Sequence, residues 1–211
     1  MGPSLPKRDR HIQVGSNRGC PGGPGRHEGF SDGSAIDGSI GTATVLYRDS
    51  ELKSKLRKQL VGEDQHMVFE AELVGLSLAT KLVRVEGNVH SAIISSDSQV
   101  VIWVTRSMRG ELGGNLVDRV HEQLEAVMIR HSGMRIEFRG TPGHEGIHEN
   151  KQADAEARRA AWGYLSWCHQ LPLSCRGAIP ASKSPLQQEH MKWEKAQVKE
   201  LFAESLRCRR I

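Results

Sequence analysis

The sequence predicts an α/β domain built around a mixed sheet, and three observations support this fold class. Extended, β-branched segments come first in the domain, between about residues 30 and 60. Segments with helical periodicity then alternate with short apolar segments, as in parallel strands joined by helices. The chain has 211 residues, of which 37% are hydrophobic, so it is long and apolar enough to form one hydrophobic core with a tail at each end. We therefore expect an antiparallel meander followed by parallel strands.

The first part of the domain is expected to form three strands. The segment GSIGTATVLYRD is rich in β-branched residues, and LKSKLRKQL continues the extended pattern after a turn. Clusters of Gly and Asp supply the turns between them. The preceding segment GRHEGF has Phe30 as its single clear core residue. We therefore expect the first strand to be short or poorly anchored.

Helices and strands alternate in the rest of the domain. Apolar residues recur at helical spacing over residues 67–85, and VHSAIIS at 89–95 is typical of a short buried strand. The segment SQVVIWVT predicts a further helix, which the Gly-rich GELGG ends. A helix at 116–131, a strand at 134–139, a PGHEG loop and a last helix from about 149 to 165 complete the predicted order.

The two ends of the chain differ from the domain in composition and charge. Residues 1–29 are rich in Gly and Pro and predict a flexible leader, while 166–211 predict a basic linker and a C-terminal helix at 186–206. Lys and Arg outnumber Asp and Glu by five to two in the leader and by eight to four in the tail. Between them, residues 30–165 form the domain and carry 16 basic and 19 acidic residues. An acidic domain needs divalent metal to approach phosphates, whereas the basic ends attract them directly.

Membrane, disulfide and zinc classes are not indicated. No apolar run reaches the 18 or so residues that span a bilayer, and the polar start lacks the apolar stretch of a signal peptide. The four cysteines form no CxxC pair and are expected to be free thiols. We expect an intracellular protein, nuclear or cytoplasmic, with no membrane contact and no evident protein partner.

Four acidic residues are candidates for a metal site: Asp32, Glu72, Asp97 and Asp154. Taken singly, each is explained by a turn, a solvated helix face, a helix cap or the helix dipole. Strand ends and adjoining helix faces, however, meet at one edge of an α/β sheet. Carboxylates gathered there repel one another unless cations neutralise them, and two Mg²⁺ or Mn²⁺ ions can then act on a phosphodiester. The combination predicts metal-dependent phosphoryl transfer.

The segments FSDGS, AEL, SSDSQ and TPGHEGIHENKQADAEAR closely resemble the type 1 ribonuclease H family over about 135 residues. This resemblance implies a ribonuclease H-like fold with a five-stranded mixed sheet flanked by helices. It also implies an endonuclease that uses two Mg²⁺ ions, or Mn²⁺, to hydrolyse the RNA strand of an RNA/DNA hybrid. The last segment is the most specific, because eight of its residues match the family in spacing: Gly143, His144, Gly146, His148, Asn150, Asp154, Ala157 and Arg158.

The resemblance also implies roles for the acidic residues. Asp32 would bridge both metals, and Asp154 would help to hold the ion that activates water. Glu72 and Asp97 would hold the ion near the leaving group. Glu72 is preferred over Glu70 because the family has its catalytic glutamate immediately before leucine, as in AEL.

Residues outside the acidic set are implied as well. His144 would assist proton movement or product departure, a role suited to an imidazole near neutral pH. Ser98 and Gln99 would contact the hybrid. More weakly, the SKSP linker and basic C-terminus resemble ribonuclease H segments at the ends of retrotransposon polyproteins.

Substrate grip and activity leave alternatives open. The cations available near the domain surface are Arg57, Lys58, Arg158 and Arg159, together with the basic ends. VFEA stands where many family members have polar residues that touch RNA 2′-hydroxyls. The alternatives are a catalytically inactive hybrid-binding or relic domain, and another nuclease of the ribonuclease H-like superfamily.

Overall fold

The strands and helices of the domain are seen in a computed structural model that describes residues 12–15, 25–60, 62, 65–96, 114–140 and 147–179. The helix expected at SQVVIWVT and the C-terminal helix expected at 186–206 lie outside these residues. The described strands are β1 (Ile12–Gly15), β2 (His27–Ile36), β3 (Ser39–Arg48), β4 (Glu51–Leu60), β5 (Ser91–Ser96) and β6 (Arg135–Gly140). The described α-helices are α1 (Val68–Val85), α2 (Gly114–Arg130) and α3 (His148–Ala161), and two short 3₁₀ helices follow at Cys168–Gln170 and Leu173–Cys175.

The strands form one mixed sheet in the order β1-β6-β5-β2-β3-β4. Strands β2, β3 and β4 form the antiparallel meander, whereas β5 pairs in parallel with both β2 and β6. The predicted five-stranded mixed sheet is therefore confirmed. A sixth strand, β1, lies in the segment expected to be a flexible leader and pairs in parallel with β6. For the rest of residues 1–24, the flexible leader stays a prediction.

Tight turns connect the meander. Asp37 and Gly38 between β2 and β3 both have positive φ, at 50° and 77°. Such turns match the right-handed twist of the strands they join, and Asp-Gly adopts them readily. Asp49 and Ser50 make the corresponding turn between β3 and β4. The Asp-Gly sequence that forms a turn is thus residues 37 and 38, not the earlier one at residues 32 and 33.

The central strand β2 is longer and better anchored than the sequence suggests. It pairs with β3 along all ten residues and with β5 from His27 to Ser31. The imidazole of His27 is buried, and Gly29 faces α1, where an added Cβ would lie in ordinary contact with the Cβ of Ala79, at 3.7 Å. The expectation of a short or poorly anchored strand is wrong, because backbone pairing on both sides and a close helix replace large apolar side chains.

The helices lie on both faces of the sheet. Helices α1 and α2 pack together over the main core, which includes Ile94 of β5 and Phe138 of β6. On the opposite face, α3 packs on β2 and β3 around Phe30, Val45 and Ala153. The approach of α3 to β3 is close at Gly41, where an added Cβ would overlap the backbone of α3. Glycine at this position therefore sets the distance between α3 and the sheet.

The segment expected to be a linker after the domain packs against it as far as residue 179. Leu171, Cys175 and Ile179 are buried in the main core. The amide of Ser166 donates to the Arg57 carbonyl, and its hydroxyl accepts from the Arg57 amide at 2.9 Å. Three apolar residues in a segment interrupted by Pro and Gly are a weak signal, which explains why the sequence does not predict this packing. Of the four cysteines, Cys168 and Cys175 lie in the described residues, and both are free thiols.

The buried His27 is expected to make the fold acid-sensitive. Burial lowers the pKa of its imidazole below 6.5; Glu86 opposes this effect and Arg48 adds to it. The unfolded chain therefore binds the proton more readily than the folded chain. The free energy of unfolding has its highest value above about pH 6.5 and decreases as the pH drops towards the folded-state pKa. Urea unfolding between pH 7.5 and 5 should show this loss.

Two variants test the assignment of that loss to His27. His27→Leu cannot be protonated, so its free energy of unfolding should depend less steeply on pH, whatever its absolute value. His90→Gln changes an exposed histidine and should keep the wild-type slope. The same slope in His27→Leu and wild type would contradict the prediction.

Candidate active site

Asp32 lies in the middle of β2, at the point where the pairing with β5 ends. The last pair between these strands is Ser31 with Ser96, and beyond it β2 pairs with β3 alone. The Asp32 side chain is 7% exposed, and its Oδ1 accepts a hydrogen bond from the Gly33 amide at 2.7 Å. The expected position at the end of a strand is therefore corrected: Asp32 marks the end of the parallel pairing, not the end of the strand.

Glu72 reaches the same place from α1. Its Oε1 accepts from the Gly33 amide at 3.0 Å, and its Oε2 accepts from the Ser96 hydroxyl at 3.0 Å. The side chain is 4% exposed. Because Asp32 and Glu72 share one amide donor, their nearest oxygens are closer than about 6 Å, within the range where like charges disfavour each other. Glu72 thus joins α1 to both β2 and the end of β5.

The donor chemistry of this pair fits a hard divalent cation. Two buried carboxylates supply oxygen ligands of the kind that Mg²⁺ and Mn²⁺ prefer, and a cation would offset their repulsion. Within the described residues, no group of three or more His, Cys, Asp or Glu side chains is arranged to hold a metal ion. Asp97 directly follows Ser96 at the end of β5 but lies outside those residues, as do Ser98, Gln99 and His144.

Asp154 approaches from the other face of the sheet. It lies on α3, which packs on β2. Side chains alternate along a strand, so Asp32 shares the α3 face with Phe30. The side chain of Asp154 is 39% exposed, and its Oδ1 accepts from Arg158 Nε at 3.0 Å. Asp32 and Glu72 are therefore in contact through one amide, whereas the hydrogen bond of Asp154 is to its own helix.

Glu70 has a different task from Glu72. Its side chain is also buried, but Oε2 accepts from the Met67 amide at 2.9 Å and lies 3.1 Å from His66 Nδ1. It therefore satisfies a free amide at the start of α1. Both glutamates are buried, so burial alone does not separate them; their partners do.

The cations expected to grip the substrate are largely engaged within the domain. Arg57 and Arg159 bind the fully buried carboxylate of Glu156, at 3.3 and 3.0 Å, and Lys55 joins them at 2.9 Å. Lys58 donates to the Gly177 carbonyl at 2.9 Å. Their expected role in phosphate contact would compete with these bonds. Glu156, which the sequence does not single out, holds β4 against α3.

Two contributors to the site were missed from the sequence. The Gly33 amide donates to both carboxylates, although Asp32-Gly33 suggests a turn. The Ser96 hydroxyl orients Glu72, although SSDSQ suggests a helix cap. The adjacent small residues in DGS and SSD were the available signal, because small side chains allow close approach of neighbouring elements.

Comparisons with known proteins place these residues in context. A family model described as RNase H matches residues 26–162, which is more than half of the chain. A search of curated proteins with the sequence of this chain found no match. In the described residues, no helix is both long and apolar enough to cross a membrane.

Solved structures share the fold. LC11-RNase H1, isolated from compost by a metagenomic approach, matches with a TM-score of 0.52 and 15% identity, covering 65% of this chain and 96% of that one. The same LC11 enzyme in complex with RNA/DNA hybrid matches with a TM-score of 0.50 and 12% identity, covering 64% and 96%. RNase H1 from Halobacterium salinarum matches with a TM-score of 0.46 and 17% identity, covering 64% and 97%. At these identities the likeness concerns the fold.

Proposed function

The chain belongs to the RNase H family, and from that premise we propose that it is a divalent-metal-dependent endonuclease that hydrolyses the RNA strand of RNA/DNA hybrids. The observation that carries this proposal is the buried pair of carboxylates, Asp32 and Glu72, joined by the Gly33 amide. Two carboxylates this close together repel each other, and a divalent cation bound between them would offset that repulsion. The hybrid found with LC11-RNase H1 supports the substrate class.

Two Mg²⁺ ions, or Mn²⁺, would be held by Asp32, Glu72, Asp97 and Asp154. When bound, the ions would neutralise phosphate charge and lower the pKa of a coordinated water. The chain itself orients the ligands: the Gly33 amide and the Ser96 hydroxyl hold Glu72, and Arg158 holds Asp154. His144 would move a proton during the reaction or product departure, and Ser98 and Gln99 would contact the hybrid.

A competing function is a catalytically inactive domain that binds hybrid. The fold favours activity over this alternative, because β2 is a full-length central strand and Asp32 is hydrogen-bonded within it. Another nuclease of the superfamily is the remaining alternative. The extent of hybrid selectivity and a retrotransposon origin are also proposals, and the retrotransposon origin rests on the sequence resemblance alone.

Cleavage assays distinguish these functions. We expect cleavage of labelled hybrid, but little of double-stranded RNA or single strands, and a full requirement for Mg²⁺ or Mn²⁺. Asp97→Asn and Asp154→Asn should each remove most of the activity without unfolding the protein, because each retains the shape but loses the charge of a metal ligand. Hybrid binding without cleavage at any metal concentration would favour the inactive domain.

An exposed aspartate provides the control. Asp118 lies on the solvent side of α2, so Asp118→Asn makes the same chemical change away from the site. It should cleave hybrid at the wild-type rate. Near wild-type cleavage by Asp97→Asn or Asp154→Asn would contradict the assigned ligands.

A further inference from the structure

A groove separate from the candidate active site lies between the C-terminal ends of α1 and α2. We call it the basic groove; its volume is about 360 Å³, and its lining residues are Lys81, Arg84, Val85, Ala126 and Arg130. This volume falls in the range of small-ligand pockets. Three of the five lining side chains are cationic, and the other two are apolar.

Within the described residues, the cations of the basic groove are not neutralised by acidic partners. In the part of the chain that the structure describes, none of the three forms an ion pair with a carboxylate within 4.0 Å. Burial lowers the pKa of Lys81, and Arg84, Arg176 and Arg130 lower it further. The repulsion between these cations indicates a region of positive potential, and a bound anion would reduce that repulsion.

Cations are common near helix C-termini because they interact with the partial negative charge there. The ends of α1 and α2 nevertheless carry too little negative charge to balance the three cations. The C-terminus of a helix carries roughly half a negative charge, so two ends contribute about one. Part of this is already satisfied, since the Arg84 carbonyl lies 3.3 Å from His131 Nε2. Three full positive charges on the lining side chains therefore exceed what the two helix ends require.

The basic groove faces away from the candidate active site. Lys81 follows Glu72 by nine residues, which in an α-helix corresponds to about 14 Å along the axis and to the opposite face. Glu72 points towards the sheet, whereas Lys81 faces α2 and solvent. A phosphate in the groove would thus be distinct from one undergoing cleavage.

We propose that the basic groove binds phosphate groups. The guanidinium groups of Arg84 and Arg130 offer paired N–H donors that match phosphate oxygens, and Lys81 adds a point charge. Val85 and Ala126 carry no side-chain acceptor that would compete for these donors. The ligand is either a small polyphosphate or the phosphodiester backbone of a nucleic acid segment outside the cleavage site.

Calorimetric titration of the full chain with tripolyphosphate tests the proposal. Buffer without divalent metal, at constant ionic strength, limits phosphate binding at the acidic site. Wild type should bind saturably, and the double variant Lys81→Gln/Arg130→Gln should bind about tenfold more weakly or worse, because charge-assisted hydrogen bonds are lost. Arg135→Gln removes one exposed positive charge outside the groove and should bind like wild type.

The controls make the result decisive. Thermal unfolding verifies that the double variant is folded; should it not be, the single variant Arg130→Gln at an exposed position takes its place. Equal affinity in wild type and the groove variant, or equal loss in Arg135→Gln, would overturn the proposal. Hybrid cleavage is measured separately, so failure of the nuclease assignment leaves this result unaffected.

Competition identifies the source of the phosphate. A single-stranded DNA oligonucleotide that displaces tripolyphosphate from wild type, and binds the groove variant more weakly, would identify a nucleic acid backbone as a ligand. Absence of displacement, with tripolyphosphate still bound through the same cations, would identify a small polyphosphate. Both outcomes support the site, and they distinguish its ligands.

Discussion

Glu72→Gln is expected to reduce hybrid cleavage by about a hundredfold or more, whereas Glu70→Gln should change it only a few fold. The two side chains are equally buried but have different partners. Glu72 shares the Gly33 amide with Asp32, while Glu70 caps α1 and pairs with His66. Glu72→Gln removes the charge of a proposed metal ligand. Loss of a ligand lowers activity more than loss of a residue that only orients a ligand.

Cleavage rates measured across a range of Mg²⁺ concentrations separate the two effects. Residual activity of Glu72→Gln should require more Mg²⁺ than wild type. Glu70→Gln should keep the wild-type Mg²⁺ dependence but lower the free energy of unfolding by about 1 kcal/mol, as expected for a weakened helix cap. A large catalytic defect at Glu70 instead would reject the assignment of Glu72 and leave Asp32, Asp97 and Asp154 unaffected.

Gly41→Ala is expected to cause the largest loss of stability, about 3 kcal/mol or more. An added Cβ at Gly41 would overlap the Ala161 nitrogen and the Ala157 carbonyl oxygen. Both are backbone atoms of α3, so the helix as a whole would have to move away from the sheet. Cleavage should fall as well, because α3 carries Asp154.

Urea unfolding measures the effect, with Gly29→Ala as the matched control. Gly29 lies in the neighbouring strand, and the atoms nearest to its added Cβ are at ordinary contact distances, from 3.7 Å upwards. That substitution should therefore be close to neutral. If Gly41→Ala were as stable as Gly29→Ala, α3 would not lie as close to β3 as described.

The elements that depend on local periodicity were predicted well. Helix α1 begins and ends within one residue of the expected range, and β6 is shifted by a single residue. Each of these elements is indicated by apolar residues that recur regularly within one continuous segment of the sequence. The anchoring of β2 was not predicted, because Gly29 and His27 support that strand through residues of α1 and β5 that lie far away in sequence.

The acidic residues of the candidate site come from the sequence and stay a prediction as a metal site, whereas the contacts between them were not predicted. The resemblance selected Glu72 over Glu70, and this selection stays a prediction; the structure adds that the two residues have distinct partners. The shared Gly33 amide could not be foreseen, since it joins residues 39 positions apart only after α1 has packed on β2. Likewise, no local pattern indicated that Arg57 would form an ion pair with Glu156.

The added strand β1 has a consequence for association between molecules. A sheet edge with unpaired backbone groups is a template for pairing with another chain, and lysines are one common protection against it. The β4 edge carries Lys53, Lys55 and Lys58. The other edge is formed by β1, which pairs with β6 and is only four residues long, and a very short edge strand is a second kind of protection. A fragment that begins at residue 25 would keep the whole family match yet uncover β6, and would thus be more prone to aggregate through that strand.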